Sequence, residues 1–190
     1  MGLLSWLTGG DRFGSFTDGR DGQKYTTVKI GNLVWMAQNL NYKPESGNSW
    51  CYNNDNSNGN IYGRLYDWDT AKSASPTGWR LPSKDEWAKL VASVGSSEFE
   101  FLDAGKKLKS KSGWSKNSGT DKFGFSALPG GYRRSDGNFN NAGDYGCWWT
   151  ATEHDGLYAY NRYMYHNIDL AGEDRNYKRD GYSVRCVQDA

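Results

Sequence analysis

The sequence predicts one α+β domain with two to three helices, short strands and long loops. Three observations carry that expectation. The chain has 190 residues, a length that fits one domain with a sizeable core. Helical periodicity is confined to residues before about 110, and short strand signals crowd the later part, which is not the alternation of βαβ units. The 24 glycines, with many Asn, Asp and Ser, demand a large share of loop. Only 36% of residues are hydrophobic and mean hydropathy is -0.87, whereas 15% are aromatic, with 9 Trp and 13 Tyr. Trp and Tyr must therefore build much of the core, and some of them must show at the surface.

Residues 1–15 read as a tail or short assembly segment, and 16–190 as the domain. The apolar patch Leu3, Leu4, Trp6 and Leu7 is the part of the tail suited to self-assembly through residues 1–10. Within 26–40, Val28 and Ile30 alternate with Thr27 and Lys29, Gly31-Asn32 supplies a turn, and residues 33–36 return as an apolar run. That pattern predicts a hairpin. Residues 43–60 read as a loop around Trp50-Cys51-Tyr52. A helix is expected over 65–74, with Leu65, Trp68 and Ala71 on one side. The sharpest local signal starts at Ser83, where Ser83 and Glu86 have capping-box spacing. Trp87, Leu90, Val91 and Val94 then form one apolar face, closed by Gly95. Residues 97–109 suggest a weaker third helix. Strands are expected at 125–128, 147–150, 158–165 and 182–187.

Composition excludes several function classes. The 23 Lys+Arg against 22 Asp+Glu leave a formal net charge of +1, with no bias toward nucleic acid or an anionic membrane. No stretch has the length of a membrane-spanning helix. Cys51, Cys147 and Cys186 form neither a disulfide framework nor a zinc spacing. The start has no basic n-region before its apolar patch, so folding in the cytoplasm is expected. His154 and His166 lie in no Ser/His/Asp or HExxH context, and Glu153 and Asp155 have no known separation. The Asn53 to Asn60 run lacks the twelfth-position Glu of an EF-hand, since Leu65 stands there. The expectation is a non-enzyme without cofactor or metal. Trp35, Trp68, Trp79 and Trp87 are expected in the core, and of Trp148 and Trp149 only one should be free to stack on a sugar.

Six motifs, in order, resemble the Fibrobacter succinogenes major paralogous domain. They are Trp35-Met36-Ala37-Gln38-Asn39-Leu40-Asn41-Tyr42, Tyr62-Gly63-Arg64-Leu65-Tyr66, and Gly78-Trp79-Arg80-Leu81-Pro82-Ser83 through Glu86-Trp87. Then come 123–133 (Phe-Gly-Phe-Ser-Ala-Leu-Pro-Gly-Gly-Tyr-Arg), Trp148-Trp149-Thr150-Ala151-Thr152-Glu153, and Ser183-Val184-Arg185-Cys186-Val187. The Arg80-Leu81-Pro82-Ser83 and Glu86-Trp87 elements are also similar to the formylglycine-generating-enzyme-like group, which has a C-type-lectin-like fold. The resemblance implies that fold, with strands from both chain ends meeting and the C-terminal third displayed. Family members commonly carry two further cysteines where this chain has Gly59 and Ser75, and most are secreted or lipid-anchored. Loss of both suits a reducing compartment, with delivery by another route such as a phage particle.

Residues 158–180 are the expected recognition surface. Tyr158, Tyr160, Asn161, Tyr163, Tyr165, His166, Asn167, Asp169, Asp174, Asn176 and Tyr177 combine rigid amphipathic rings with adaptable hydrogen-bonding groups, the chemistry of antibody paratopes. In a strand Tyr158 and Tyr160 share one face, as do Tyr163 and Tyr165. Tyr, Asn, His, Asp, Ser and Ile are also what an Asn codon yields when its adenines change. The segment thus resembles the variable stretch of a diversity-generating-retroelement target, with Arg162, Leu170 and Arg175 as its fixed positions; ordinary drift within a Tyr-rich strand is the alternative. The expected partners are a protein receptor or a glycan on a cell surface, reached from a phage or cell surface. A carbohydrate-binding module or a structural surface domain is the competing reading.

Overall fold

The computed structural model describes residues 12–95 and 101–190; the assembly segment expected at 1–10 lies outside them. In chain order the elements are β1 (Phe13–Thr17), β2 (Lys24–Ile30), β3 (Leu33–Met36), β4 (Ser49–Trp50), α1 (Asn56–Tyr62), β5 (Leu65–Tyr66) and α2 (Trp68–Ser73). They continue with α3 (Lys84–Val94), α4 (Phe101–Leu108), β6 (Gly130–Arg133), β7 (Phe139–Ala142), β8 (Tyr145–Glu153), β9 (Tyr158–Tyr165), β10 (Ala171–Tyr177), β11 (Tyr182–Ser183) and β12 (Val187–Asp189). The architecture is α+β. One sheet runs β1-β2-β3-β12, and a second runs β10-β9-β8-β11-β5-β4 with β6 and β7 attached beside β8.

Gly31, at φ 63, makes the β2–β3 turn, and Ile30 pairs with Leu33 beside it. Val187 of β12 then pairs with Trp35, so the first and last strands of the described residues share a sheet. In α3, Glu86 N–H donates to Ser83 Oγ at 3.2 Å and Ser83 N–H donates to Glu86 Oε2 at 2.8 Å, closing the expected capping box. Its face of Trp87, Leu90, Val91 and Val94 is buried.

Strand β8 separates two cores. Trp148 joins Trp35, Trp87, Phe125 and Met164 on one side; Cys147 and Trp149 join Tyr66, Trp68, Tyr182 and Cys186 on the other. Alternation therefore buries both tryptophans, one in each core, so neither is the exposed sugar platform expected of one of them. Trp35, Trp68 and Trp87 are core residues as expected, and Trp79 is half-buried, stacked on Phe16 at 4.5 Å.

Arg185 ties these layers together from a fully buried position. Its Nε donates to Asn39 Oδ1 at 2.7 Å, Nη1 to the carbonyls of Met36 (3.1 Å) and Phe125, and Nη2 to Ser126 O at 2.7 Å. Burial pushes the guanidinium down to about 9, which leaves it cationic at neutral pH.

Several local expectations are corrected. The described residues hold four α-helices rather than two or three. The run expected as a loop contains α1, started by Asp55, whose Oδ1 accepts from Ser57 N–H at 2.9 Å. The helix expected over 65–74 starts only at Trp68, because Leu65 and Tyr66 pair with β4 and β11 and Asp67 caps α2. Residues 125–128 are no strand: Ser126 sits at φ 52, which breaks an extended run. The strand expected at 182–187 is divided where Arg185 turns inward. Strand β1 straddles the boundary drawn at residue 16.

The two positions without the family's further cysteines lie against the remaining thiols. A Cβ on Gly59 would sit 2.7 Å from Cys51 Sγ, and Cys186 Sγ lies 3.4 Å from Ser75 Oγ. All three cysteines are free and buried. Burial drives the Cys147 thiol far up and Cys186 up to about 12, so both stay protonated at neutral pH in the present chain.

Candidate functional site

The register of β8, β9 and β10 sorts the expected recognition residues. Tyr163 pairs with Cys147 and Gly172, and Asn161 with Trp149 and Asp174. Asn161, Tyr163, Tyr165, Asp174 and Asn176 therefore share one sheet face, and Tyr158, Tyr160 and Tyr177 belong to the other.

On the first face tyrosines form a continuous row. Tyr163 stacks on Tyr145 at 5.7 Å, Tyr145 meets Tyr132 edge-on at 5.9 Å, and Tyr132 meets Tyr182 at 5.9 Å. Tyr182 packs on Trp149 at 4.5 Å, which roots the row in the core. Tyr163 lies across Gly172, where any Cβ would overlap its ring. Tyr132, Tyr145 and Tyr182 of the row wall a cavity of 470 Å³ between β6, β8, β10 and the segment before β11. Tyr132, Tyr145, Tyr165, Tyr177 and Tyr182 line it together with Asn141, Asp174, Asn176 and Asp180. Burial raises the Tyr145 and Tyr182 hydroxyls, which are therefore neutral donors and acceptors.

The lining charge is negative, with Asp136, Asp174 and Asp180 against Arg134. Asp180 is only 7% exposed, and its Oδ1 accepts from Ser135 N–H at 2.8 Å. Burial raises its carboxyl against that hydrogen bond. Among the described residues none of these three carboxylates forms an ion pair.

The remaining expected residues lie elsewhere. Tyr158 stacks with Tyr177 at 4.6 Å, and Tyr160 sits under Lys84 Nζ at 4.2 Å with its hydroxyl 3.1 Å from His154 Nδ1. Asn161 departs from the expectation of ligand contact: it is fully buried, and its Oδ1 accepts from Cys147 Sγ at 3.2 Å. It supports the face from beneath. His166, Asn167 and Asp169 occupy the β9–β10 loop. That loop is held by its main chain: buried Lys109 donates Nζ to the carbonyls of Tyr165 (3.2 Å) and Ile168 (3.0 Å), and Lys106 N–H donates to Asp169 O at 3.1 Å. Tyr132, Asn141, Tyr145 and Tyr182 line the cavity and were not read from the sequence, whereas Asp180 closes the expected segment without having been singled out. They come from separate strands and turns, and only Tyr182 adjoins the Tyr-rich segment.

Folding gives His166 partners that its local sequence hides. Its Nδ1 lies 2.6 Å from Asp144 Oδ1 and 2.7 Å from Ser115 Oγ, and Ser115 Oγ donates to the same Asp144 oxygen. Serine and aspartate thus meet one ring nitrogen. A nucleophile relay needs them on opposite nitrogens, so the cluster works as a knot between loops beside Tyr145 and Tyr165. Among the described residues no group of three or more His, Cys, Asp or Glu side chains is placed to hold a metal ion.

The family model of the Fibrobacter succinogenes major domain matches residues 28–188. This chain belongs to that family. The match starts within β2, ends within β12 and includes every strand of the cavity. No curated protein and no solved structure matches the chain.

Proposed function

We propose that this Fibrobacter succinogenes major domain is a ligand- or receptor-binding module, with the tyrosine-walled cavity as its recognition site. The observation that carries the reading is the concave set of Tyr132, Tyr145, Tyr165 and Tyr182 with Asn and Asp side chains, on a face rooted in the core and bordered by Tyr177 at the end of β10. Its volume falls within the roughly 300–1,000 Å³ of small-ligand pockets. Rigid rings give contact area at low entropic cost, and the amides and carboxylates give direction. A protein receptor or a glycan on a cell surface is the partner, met from a phage or cell surface. We read the fold as C-type-lectin-like, a reading supported by the shared sheet of the first and last strands.

Diversification by a retroelement is a second reading, favoured by one observation. Most of the Tyr, His and Asp side chains over 158–177 touch one another or neighbouring surface groups, and the loop between β9 and β10 is held through its backbone. Apart from His166 and Asp169, whose side chains also tie the loop to Asp144, Ser115 and Lys106, side chains there can change without releasing these backbone bonds. A near-copy of the coding segment beside a reverse-transcriptase gene, differing only at adenines, supports this reading, and its absence refutes it.

The test of the main reading is selection of binders from peptide and glycan libraries, repeated with a Tyr165→Ala/Asp174→Ala/Asn176→Ala variant. Hits lost by a variant that still unfolds at the parent temperature support the cavity. Hits retained by that variant refute it as the recognition site.

A further inference from the structure

We propose that the cavity takes a cationic group, a lysine or arginine side chain presented by a partner protein, held between its tyrosines and its carboxylates. The inference rests on the reading of the cavity as a recognition site and adds the ligand's chemistry.

Asp180 is the first reason. A carboxylate only 7% exposed ordinarily has a cation beside it, because desolvation of an unpaired charge is costly. Here the Ser135 N–H donates to it and the charge of Arg134 favours its ionised form from a distance, but no ion pair reaches it among the described residues. A bound cation would supply the missing partner. The second reason is the lining charge, two negative units in excess from Asp136, Asp174 and Asp180 against Arg134. The third is the aromatic wall. Tyrosine faces attract cations, and tyrosine cages with a carboxylate recognise ammonium and guanidinium groups. Burial holds the Tyr145 and Tyr182 hydroxyls neutral, so they offer their ring faces and no charge of their own. A neutral sugar would use the rings and amides, but it would leave the Asp180 charge uncompensated.

The test is calorimetric titration of the purified domain with N-acetyl-arginine amide and N-acetyl-lysine amide. N-acetyl-glutamine amide serves as the neutral control, and methyl glycosides as the other ligand class. The expected result is saturable binding of both cationic probes, about tenfold tighter than the neutral one. The Asp174→Asn/Asp180→Asn variant should weaken the cationic probes about tenfold and keep its fold, since each Asn retains the oxygen that accepts its backbone N–H. Equal binding of neutral and cationic probes, or no effect of the double variant, overturns the inference. Glycoside binding that Tyr165→Ala abolishes and the double variant leaves intact overturns it too, while the reading of the cavity as a recognition site stands. If no cationic probe binds at all, the inference again fails; the recognition reading fails separately, on the selection from peptide and glycan libraries.

Discussion

Replacing Arg185 by Met should cost this domain a large part of its stability. The side chain is fully buried and its guanidinium serves four acceptors drawn from two stretches of chain, one holding Met36 and Asn39 and the other the Phe125–Ser126 pair. Met has the length to fill the space but donates nothing. Asn39 Oδ1 keeps a partner, because Trp148 Nε1 also donates to it at 2.8 Å. The carbonyls of Met36, Phe125 and Ser126 lose theirs. Each orphaned acceptor costs about 1–3 kcal/mol, and release of one desolvated charge returns part of the total, for a net loss of about 3–5 kcal/mol. At about 2–4 °C per kcal/mol for a chain of this size, the midpoint should fall by roughly 6–20 °C. Differential scanning calorimetry of wild type, Arg185→Met and Arg185→Lys measures it. Lys should also fall, because one ammonium cannot reach all four acceptors. A midpoint for Arg185→Met within about 2 °C of wild type would refute the claim that this residue joins the layers.

Other perturbations probe separate parts of the molecule. Gly172→Ala should destabilise by about 1–3 kcal/mol by expelling the Tyr163 ring, and a further Tyr163→Ala should restore part of the loss, read by chemical denaturation. Ser75→Cys should form a disulfide with Cys186 under an added oxidant that takes the two electrons, seen as a loss of two hydrogen atoms by mass and a higher unfolding midpoint, because the present Sγ and Oγ are 3.4 Å apart. Hydrogen bonds from Ser115 and then His166 lower the Asp144 carboxyl. A depressed acid stabilises the fold above its unfolded value and loses that contribution as pH falls through its folded value, so Asp144→Asn should flatten the acid limb of the stability curve below about pH 4. Asp180 has the opposite sign: burial raises its carboxyl, so its charge opposes folding at neutral pH and protonation relieves the cost. Asp180→Asn should therefore raise the midpoint at pH 7 and leave it unchanged at pH 3, where both side chains are neutral.

Features that lie close along the chain were legible in the sequence. The capping box at Ser83 and Glu86 and the face of α3 depend on residues within eleven positions, and both stand as read. The β2–β3 hairpin was legible for the same reason, through Gly31 at its turn. Helix α1 was hidden because Asn, Ser and Gly are weak helix formers, and the Asp55 cap, the Gly63 N–H at its end and packing against Cys51 support it. The fate of Trp148 and Trp149 was hidden because alternation separates their faces without saying that each face meets a core. The site was half legible. Tyr165, Asp174, Asn176 and Tyr177 of the cavity lie in the Tyr-rich segment. Tyr132 and Tyr145 come from β6 and β8, and the parallel β6–β8 pairing that delivers them joins residues far apart in the chain and has no local signature.

The most direct test of the cavity as a recognition site needs no known ligand. Amide and tyrosine-ring resonances of the labelled domain would be followed by NMR during addition of a fragment set of ammonium compounds, guanidinium compounds and sugars. Shifts produced by any binding fragment should cluster on Tyr132, Tyr145, Tyr165, Asp174, Asn176 and Tyr182. Fragment-induced shifts that cluster away from β8, β9 and β10, with these residues unmoved, would contradict that assignment.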